Sequence, residues 1–449
     1  LKAAAEPYNI AAGVMEVSEG YIEALEFLDG LVNYEKGERF PKYDTRAYDL
    51  EKFAELLAGL GDPHKSYQVV HIAGSKGKGS VAYMLAAVLR AAGYKVGMYT
   101  SPHLRSVRER IQVDGTLITP QDFGDIVAIV RDAFGEPEPK YRTYFETLTA
   151  AAFLYFAWHT VDVAVVEVGL GGRLDATNVV DPAVSVITSL DLEHTHVLGE
   201  TLADIAREKA GIIKPGRPVV SAPQNRLAAD VLFETAGAVG VPLYVVGEDC
   251  ATEFDGRALT YFGTTEVIPG IILAMPGTVQ RTNAATALLA LEHLTGLNVP
   301  ITAVCSGMAE ARAPARCQVV SGKPVTILDT ACTASAAEAL LETVMEVSHS
   351  RLVILCGFSL DKDVGGVAEV VGPEAYAVVG AAADVPRAMP VGEVLGHFVG
   401  LCERLEPGVT PADGFVSARR LAGRNGLVAV TGSFYLAGEI LEQLEGAIP

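Results

Sequence analysis

The run AGSKGKGS, residues 73–80, joins the apolar stretch YQVVHI to VAYMLAAVLRAAG. Gly74, Gly77 and Gly79 let the backbone come close to an anion, so that several N–H groups can point at phosphate oxygens. The helix that follows adds its positive N-terminal end. Lys78 would reach the β- and γ-phosphates of a nucleoside triphosphate, with Ser75, Lys76 and Ser80 completing the loop. The usual phosphate loop places Ser or Thr directly after its lysine; here Gly79 separates Lys78 from Ser80. The bland alternative is a glycine-rich turn with surface lysines. A strand before it and a helix after it favour the phosphate reading.

Three further side chains stand near predicted strand ends: Ser101 in TSPH, Glu167 in VVEVGLGG and His194 in SLDLEHTH. A carboxylate closing a run of valines is costly unless it meets a cation or a hydrogen-bond network. A hydroxyl, a carboxylate and an imidazole on one sheet edge could hold magnesium beside a triphosphate. Taken singly, Ser101 reads equally well as a helix cap and His194 as a loop histidine.

The elements that would position these residues are short apolar runs alternating with helical patterns. YQVVHIA, KVGMYTS, DVAVVEVG, VSVITSLD and RPVVSAP read as buried strands, and VAYMLAAVLRAAG, FETLTAAAFLYFAWH and TLADIAREKAGII as helices. That alternation predicts an α/β fold with a mostly parallel sheet covered on both faces. Residues up to about 65 read as two helices, EVSEGYIEALEFLDGLV and YDLEKFAELLAGLG, around the polar loop NYEKGERFPKYDTRAY. Residues 244–275 suggest a small antiparallel patch, followed by the helix NAATALLALEHLTG. A second, Rossmann-like α/β block starts near residue 312, with PVTILDT, RLVILCGFS, AYAVVGA and GLVAVTGS as strands. The expected division is 1–311 and 312–449.

A chain of 449 residues is expected to form two or three domains. Its net charge of −20 disfavours nonspecific nucleic-acid binding, yet leaves room for a local cationic pocket. The cysteines (Cys250, Cys305, Cys317, Cys332, Cys356 and Cys402) form no C-x-x-C pair, which fits buried thiols in a reducing cytoplasm. The apolar run LTAAAFLYFAWH is about half a membrane span, and LKAAAEPYNIAAG carries no signal-peptide core, so no membrane partner is expected.

HIAGSKGKGSV, TSPHL, ERIQVDG, TYFETLTAAAF, VEVGLGGRLDATN, SLDLEHT and AREKAGIIKPG occur in this order. From about residue 20 to its C-terminus the chain resembles folylpolyglutamate synthase and dihydrofolate synthase, of the Mur ligase superfamily. GKGS is that family's own form of the phosphate loop. The resemblance implies an ATP-dependent ligase that joins a folate or dihydropteroate carboxylate to the amine of L-glutamate through an acyl phosphate. It further implies that Ser101 and Glu167 bind one Mg2+ ion, that Glu167 and His194 share in a second, that Lys209 in REKAG is carbamylated, and that the protein acts as a monomer. Without the resemblance, Lys209 reads as a helix-surface lysine paired with an acid. Thr143, Tyr144, Phe145 and Glu146, with Leu174, Asp175 and Ala176, match the pterin-substrate region; Tyr144 and Phe145 taken alone would more often be core. Asn283, before the boundary, and Arg316 and Asp329, after it, match nucleotide contacts, while Cys332 and Ser433 fall on the substrate side. DKD at 361–363 and TGS at 431–433 also resemble family signatures.

The second block departs from the pattern. DGAHN reads Asp329-Thr330-Ala331-Cys332-Thr333, Pro-Gly-Arg reads Pro314-Ala315-Arg316, and Gly-x-His-Gln reads Gly277-Thr278-Val279-Gln280. A thiol has neither the charge nor the two ring nitrogens of histidine. The residues expected at ATP and metal survive, so phosphoryl transfer is expected and the identity of the amine stays open. The alternatives are the same chemistry on another acid or amine, or a catalytically silent nucleotide or folate binder.

Overall fold

The computed structural model describes residues 18–34, 48–134, 143–320 and 322–445. The N-terminal stretch and most of the polar loop before Tyr48 lie outside the described residues. Its first sheet is built from β1 (Gln68–Ala73), β2 (Val96–Tyr99), β3 (Ile111–Val113), β4 (Thr116–Leu117), β5 (Val163–Glu167), β6 (Val184–Ile187), β7 (Val219–Ser221) and β8 (Leu243–Val245). The order is β4-β3-β2-β5-β1-β6-β7-β8. All pairings from β2 to β8 are parallel; β3 and β4 add an antiparallel edge. ERIQVDG therefore ends a short helical turn and enters β3, which lies between β2 and the edge strand β4.

The central strands are apolar on both sides because both faces are covered. Val70 and Ile72 of β1 join the core beneath the Lys78–Ala91 helix, while Val69 joins the core beneath the Tyr144–Trp158 helix. Val81, Leu85 and Val88 of the first helix are fully buried. Each such side chain contributes about 1.5–3 kcal/mol by leaving water, so the helix carrying the glycine-rich loop is firmly seated. The chain runs to one side of β1 for β2 and β5 and to the other for β6, β7 and β8. A sheet of this kind opens its ligand crevice at the carboxyl ends of the strands where the order reverses.

A second sheet holds β9 (Ala251–Phe254), β10 (Leu259–Phe262) and β11 (Val267–Ile271), antiparallel in the order β11-β10-β9. The antiparallel patch is thus narrower than its sequence suggests, since Tyr244 belongs to β8 of the parallel sheet. The third sheet contains β12 (Gln318–Val320), β13 (Val325–Leu328), β14 (Leu352–Cys356), β15 (Ala377–Gly380), β16 (Leu405–Pro407) and β17 (Leu427–Thr431). Its order is β12-β13-β17-β14-β15-β16, parallel except for β12. Separate apolar cores lie on its two faces.

Candidate active site

The glycine-rich loop leaves β1 and enters the Lys78–Ala91 helix. Gly74 and Gly77 have φ of 153° and 91°, and a Cβ at either would overlap Thr188 Oγ1 or Asn283 Oδ1 respectively. The turn therefore demands glycine for both its backbone and its space. The loop is tied to the segment after β6: Ser75 N and Lys76 N each donate to Ser189 O at 3.0 Å, and Ser75 Oγ donates to Asp191 O at 3.0 Å. Ser80 is buried and accepts from Gln280 Nε2 at 3.2 Å; Gln280 Oε1 in turn accepts from Asn283 Nδ2 at 3.0 Å.

Two lysines converge on one carbonyl. Lys78 Nζ donates to Gly74 O at 3.0 Å, and Lys209 Nζ donates to the same oxygen at 2.8 Å. Lys209 is only 4 % exposed, on the Leu202–Ala210 helix. Burial, reinforced by Lys78, brings its pKa down to about 7 against the opposing pull of Glu193 and Asp175. Burial alone would push Glu193 up, but Lys76, Lys78, His194 and Lys209 outweigh it and hold the carboxyl at about 2. Glu193 Oε1 stands 3.7 Å from Lys76 Nζ and 3.9 Å from His194 Nε2. Burial also lowers His194 to about 4, with help from Lys78, Lys209 and Lys362, so its imidazole is neutral.

Glu167 ends β5 at 3 % exposure and accepts from Ser101 N at 3.3 Å. Burial raises its pKa; Lys78, Arg316 and the Ser101 bond pull the other way. Glu167 and Ser101 line a cleft with Gly79 and, from the second block, Pro314, Arg316 and Phe434. Arg316 is held by a 2.9 Å bond to Thr330 Oγ1 and by the Phe434 ring, 4.8 Å from its guanidinium carbon. Its neighbours Ala315 and Cys317 both take left-handed φ of 49°. Asp329 is turned inward: its two oxygens accept from Cys317 N and Ala331 N, each at 2.8 Å. Thr333 caps the Ala334–Glu346 helix, and Ser335 Oγ reaches across to Asp191 Oδ2 at 2.7 Å. Cys332 is half-buried beside this cap, and Ser433 Oγ accepts from Tyr435 N at 3.1 Å.

Magnesium takes oxygen donors, typically one or two carboxylates completed by phosphates and water. Ser101 and Glu167 could supply a hydroxyl and a buried carboxylate, and His194 a neutral imidazole. A cation would relieve the burial that raises Glu167. Among the described residues no three His, Cys, Asp or Glu side chains stand together as a self-sufficient metal cage. Ser101 and Glu167 would be a partial donor set, which phosphate or water oxygens would have to complete around an ion.

Residues 72–291 match the Mur ligase middle domain and residues 315–434 the Mur ligase glutamate ligase domain. The dihydrofolate synthase/folylpolyglutamate synthase of Bacillus subtilis is 34% identical over 88% of this chain and 95% of its own length. The chain belongs to the folylpolyglutamate synthase/dihydrofolate synthase family. Its fold is also that of E. coli FolC solved with DHPP and ADP, with a TM-score of 0.85, 29% identity and coverage of 97% and 100% of the two chains. A bifunctional family member solved with Mn, AMPPNP and L-glutamate gives a TM-score of 0.82 at 28% identity, covering 96% and 99%.

The family's expected acid-substrate residues have structural duties in this chain. Thr143 and Glu146 form a capping box: Glu146 N donates to Thr143 Oγ1 at 3.1 Å, and Thr143 N donates to Glu146 Oε2 at 2.9 Å. T-x-x-E is a sequence signature of that box. Tyr144 is buried with the Arg110 guanidinium 5.4 Å from its ring centre, and Phe145 packs 5.9 Å from Tyr99 and against Gly169. Leu174, Asp175 and Ala176 are all buried. Glu193, Gln280 and Asp191 were not singled out in the sequence. Only the crowding of acids in SLDLEHT hinted at Glu193 and Asp191.

Proposed function

We propose that this protein uses ATP to join the carboxylate of a folate or dihydropteroate to the amine of L-glutamate. The observation that carries this reading is the charge cluster at the carboxyl edge of the first sheet. Lys78 and Lys209 share one carbonyl there, and Arg316 and Glu167 line one cleft between the two blocks. A carboxylate becomes an acylating agent only when an oxygen is converted into a good leaving group. In this scheme a carboxylate oxygen attacks the γ-phosphorus and ADP leaves. The amine then attacks the acyl carbon, phosphate departs and the amine loses a proton.

The residues take distinct parts. The loop N–H groups from Gly74 to Ser80 and the Lys78 ammonium hold the phosphates. Arg316 neutralises charge as the phosphoryl group moves, and Asn283 and Asp329 keep the loops around the nucleotide in place. Magnesium, when bound, would withdraw charge from the phosphate oxygens, with Ser101, Glu167 and His194 as its protein donors. Lys209 is suited to carbamylation, since burial favours the neutral amine that reacts with CO2. The resulting carbamate would present oxygens and a negative charge to Lys78 in place of the amine. Isotopically labelled CO2 and carbon NMR should then give a carbamate signal that Lys209→Met lacks.

Thr143 to Glu146 and Leu174 to Ala176 would meet the acid substrate, and Cys332 and Ser433 the amine. The Cys332 position favours a second reading in which the amine differs from glutamate. A boundary between 311 and 312 is supported by the separation of the sheets between β11 and β12. Both blocks of one chain line the cleft, which supports action as a monomer. No helix among the described residues is long and apolar enough to cross a membrane, and six free thiols support a cytoplasmic setting.

Glu167→Gln tests the assignment. It should cut ATP-dependent product formation by at least about a hundredfold while nucleotide still binds. Unchanged turnover would remove Glu167 from the centre.

A further inference from the structure

Beneath the Leu174–Ala176 segment lies a buried chain of polar groups that no step above uses. His71, on β1, is 0 % exposed, and its Nε2 lies 2.9 Å from Thr177 Oγ1. Thr177 is also 0 % exposed, and its hydroxyl donates to Asp175 Oδ1 at 2.5 Å. The same oxygen accepts from Thr177 N at 3.0 Å, while Asp175 Oδ2 accepts from Leu170 N at 2.9 Å. Asp175 thereby closes the loop from Leu170 and caps the turn Ala176–Val179.

With Asp175 as a carboxylate, which its three N–H and O–H donors favour, the proton count along this chain has one solution. A threonine hydroxyl has a single proton, and Asp175 takes it. Thr177 Oγ1 can then only accept from His71, so His71 carries its proton on Nε2. Its bare Nδ1 has no hydrogen-bond partner. Burial and the nearby Lys214 lower the pKa of His71 to about 3, so the imidazole is neutral at working pH. β1 continues directly into the phosphate loop at Gly74, and His71 pairs in register with Val166 of β5 and Ser185 of β6. The imidazole therefore reaches from the strand carrying the nucleotide loop to the hydroxyl that fixes Asp175.

We propose that His71 is a positioning residue: through Thr177 it sets the Asp175 loop for the acid substrate, independently of nucleotide binding. This rests on the reading that Leu174–Ala176 meets that substrate. A buried apolar histidine replacement would do for packing alone; the donor at Nε2 is what positioning requires.

Initial rates measured with the acid substrate (dihydropteroate or tetrahydrofolate) and ATP varied separately decide the matter. Thr177→Val, which keeps the shape and removes the hydroxyl, should raise the KM for the acid about tenfold, the size of one buried hydrogen bond. Thr177→Ser should stay within about twofold of the parent, and the KM for ATP should stay within about twofold in both. His71→Leu should behave as Thr177→Val, and His71→Gln, whose amide can donate from a similar place, should recover most of the loss. Equal acid KM values for Thr177→Val and Thr177→Ser, or parallel rises for acid and ATP, would overturn the proposal. If His71→Leu does not fold, the Thr177 pair decides alone. Asp175→Asn separates the two layers. If it changes the acid KM and Thr177→Val does not, only the His71 role falls. If it leaves the acid KM unchanged, the loop does not meet the acid, and both fall.

Discussion

The two sides of the cleft are built on different principles. On the first-sheet side, function depends on charge held at short range: Lys76, Lys78, Lys209, Glu193 and His194 perturb one another, and three carry strongly displaced pKa values. On the second-block side, the loops are held by backbone geometry and by hydrogen bonds made within the block. Asp329 fastens Cys317 and Ala331, Thr333 caps a helix, and Ala315 and Cys317 take left-handed conformations around Arg316. A charge cluster tolerates few substitutions, because each member sets the state of the others. A loop held by its backbone depends less on the identity of each side chain along it. On the first side the pattern departs at Ser75, Lys76 and Val279 while Lys78, Glu167, His194 and Lys209 remain, and on the second it departs at Ala315, Cys332 and Thr333.

The largest effects should come from the charged side. Lys209→Met should lose at least about a hundredfold in turnover. The same substitution tests the charge argument through stability. In CO2-free buffer the folded parent has Lys209 near pKa 7, against an ordinary 10.5 when unfolded. Between those values the unfolded chain binds more protons, so this residue makes stability rise with pH from about 7 to about 10.5. Lys209→Met should flatten that rise and melt no lower than the parent below pH 7. Melting curves against pH measure this, and an unchanged slope would mean that Lys209 is not the buried amine described.

On the other side effects should be smaller and confined to one substrate. Cys332→His should change the KM for the amine several-fold, about 1 kcal/mol or less of binding, and leave the KM for ATP in place. A large loss of ATP binding with no effect on the amine would put Cys332 in the wrong half of the cleft. Ala315→Gly should be the mildest. Relief of a left-handed residue is worth about 1–2 kcal/mol. Loss of one buried methyl at about 0.8 kcal/mol and greater freedom of the unfolded chain oppose it. Denaturant unfolding should shift by less than about 1 kcal/mol. A gain above about 2 kcal/mol would show that Arg316 is held by strain rather than by its bonds to Thr330 and Phe434.

The contrast also explains what could be read from the sequence. Strand, glycine loop and helix are local, and the 73–80 segment forms as its spacing suggests. Glu167 was legible because a carboxylate ending a valine strand has few uses. Glu193 was not, because its partners Lys76 and Lys209 come from distant segments. Gln280 and Ser80 meet across 200 positions, and Asp191 and Ser335 across 144, which no periodicity reports. Thr143 and Glu146 are legible as a capping box because T-x-x-E is local. β12 and β16 are not legible, because edge strands of three residues carry too little pattern.

The central claim is that the charged side drives acyl phosphate chemistry and that the second block selects the amine. Phosphate release from ATP and magnesium, with dihydropteroate or tetrahydrofolate and a panel of amino acids, tests it most directly when mass spectrometry identifies the product. The account predicts release that requires both the pterin and glutamate, with the glutamyl amide as product. Release with neither substrate pair, despite measurable ATP binding, would contradict it.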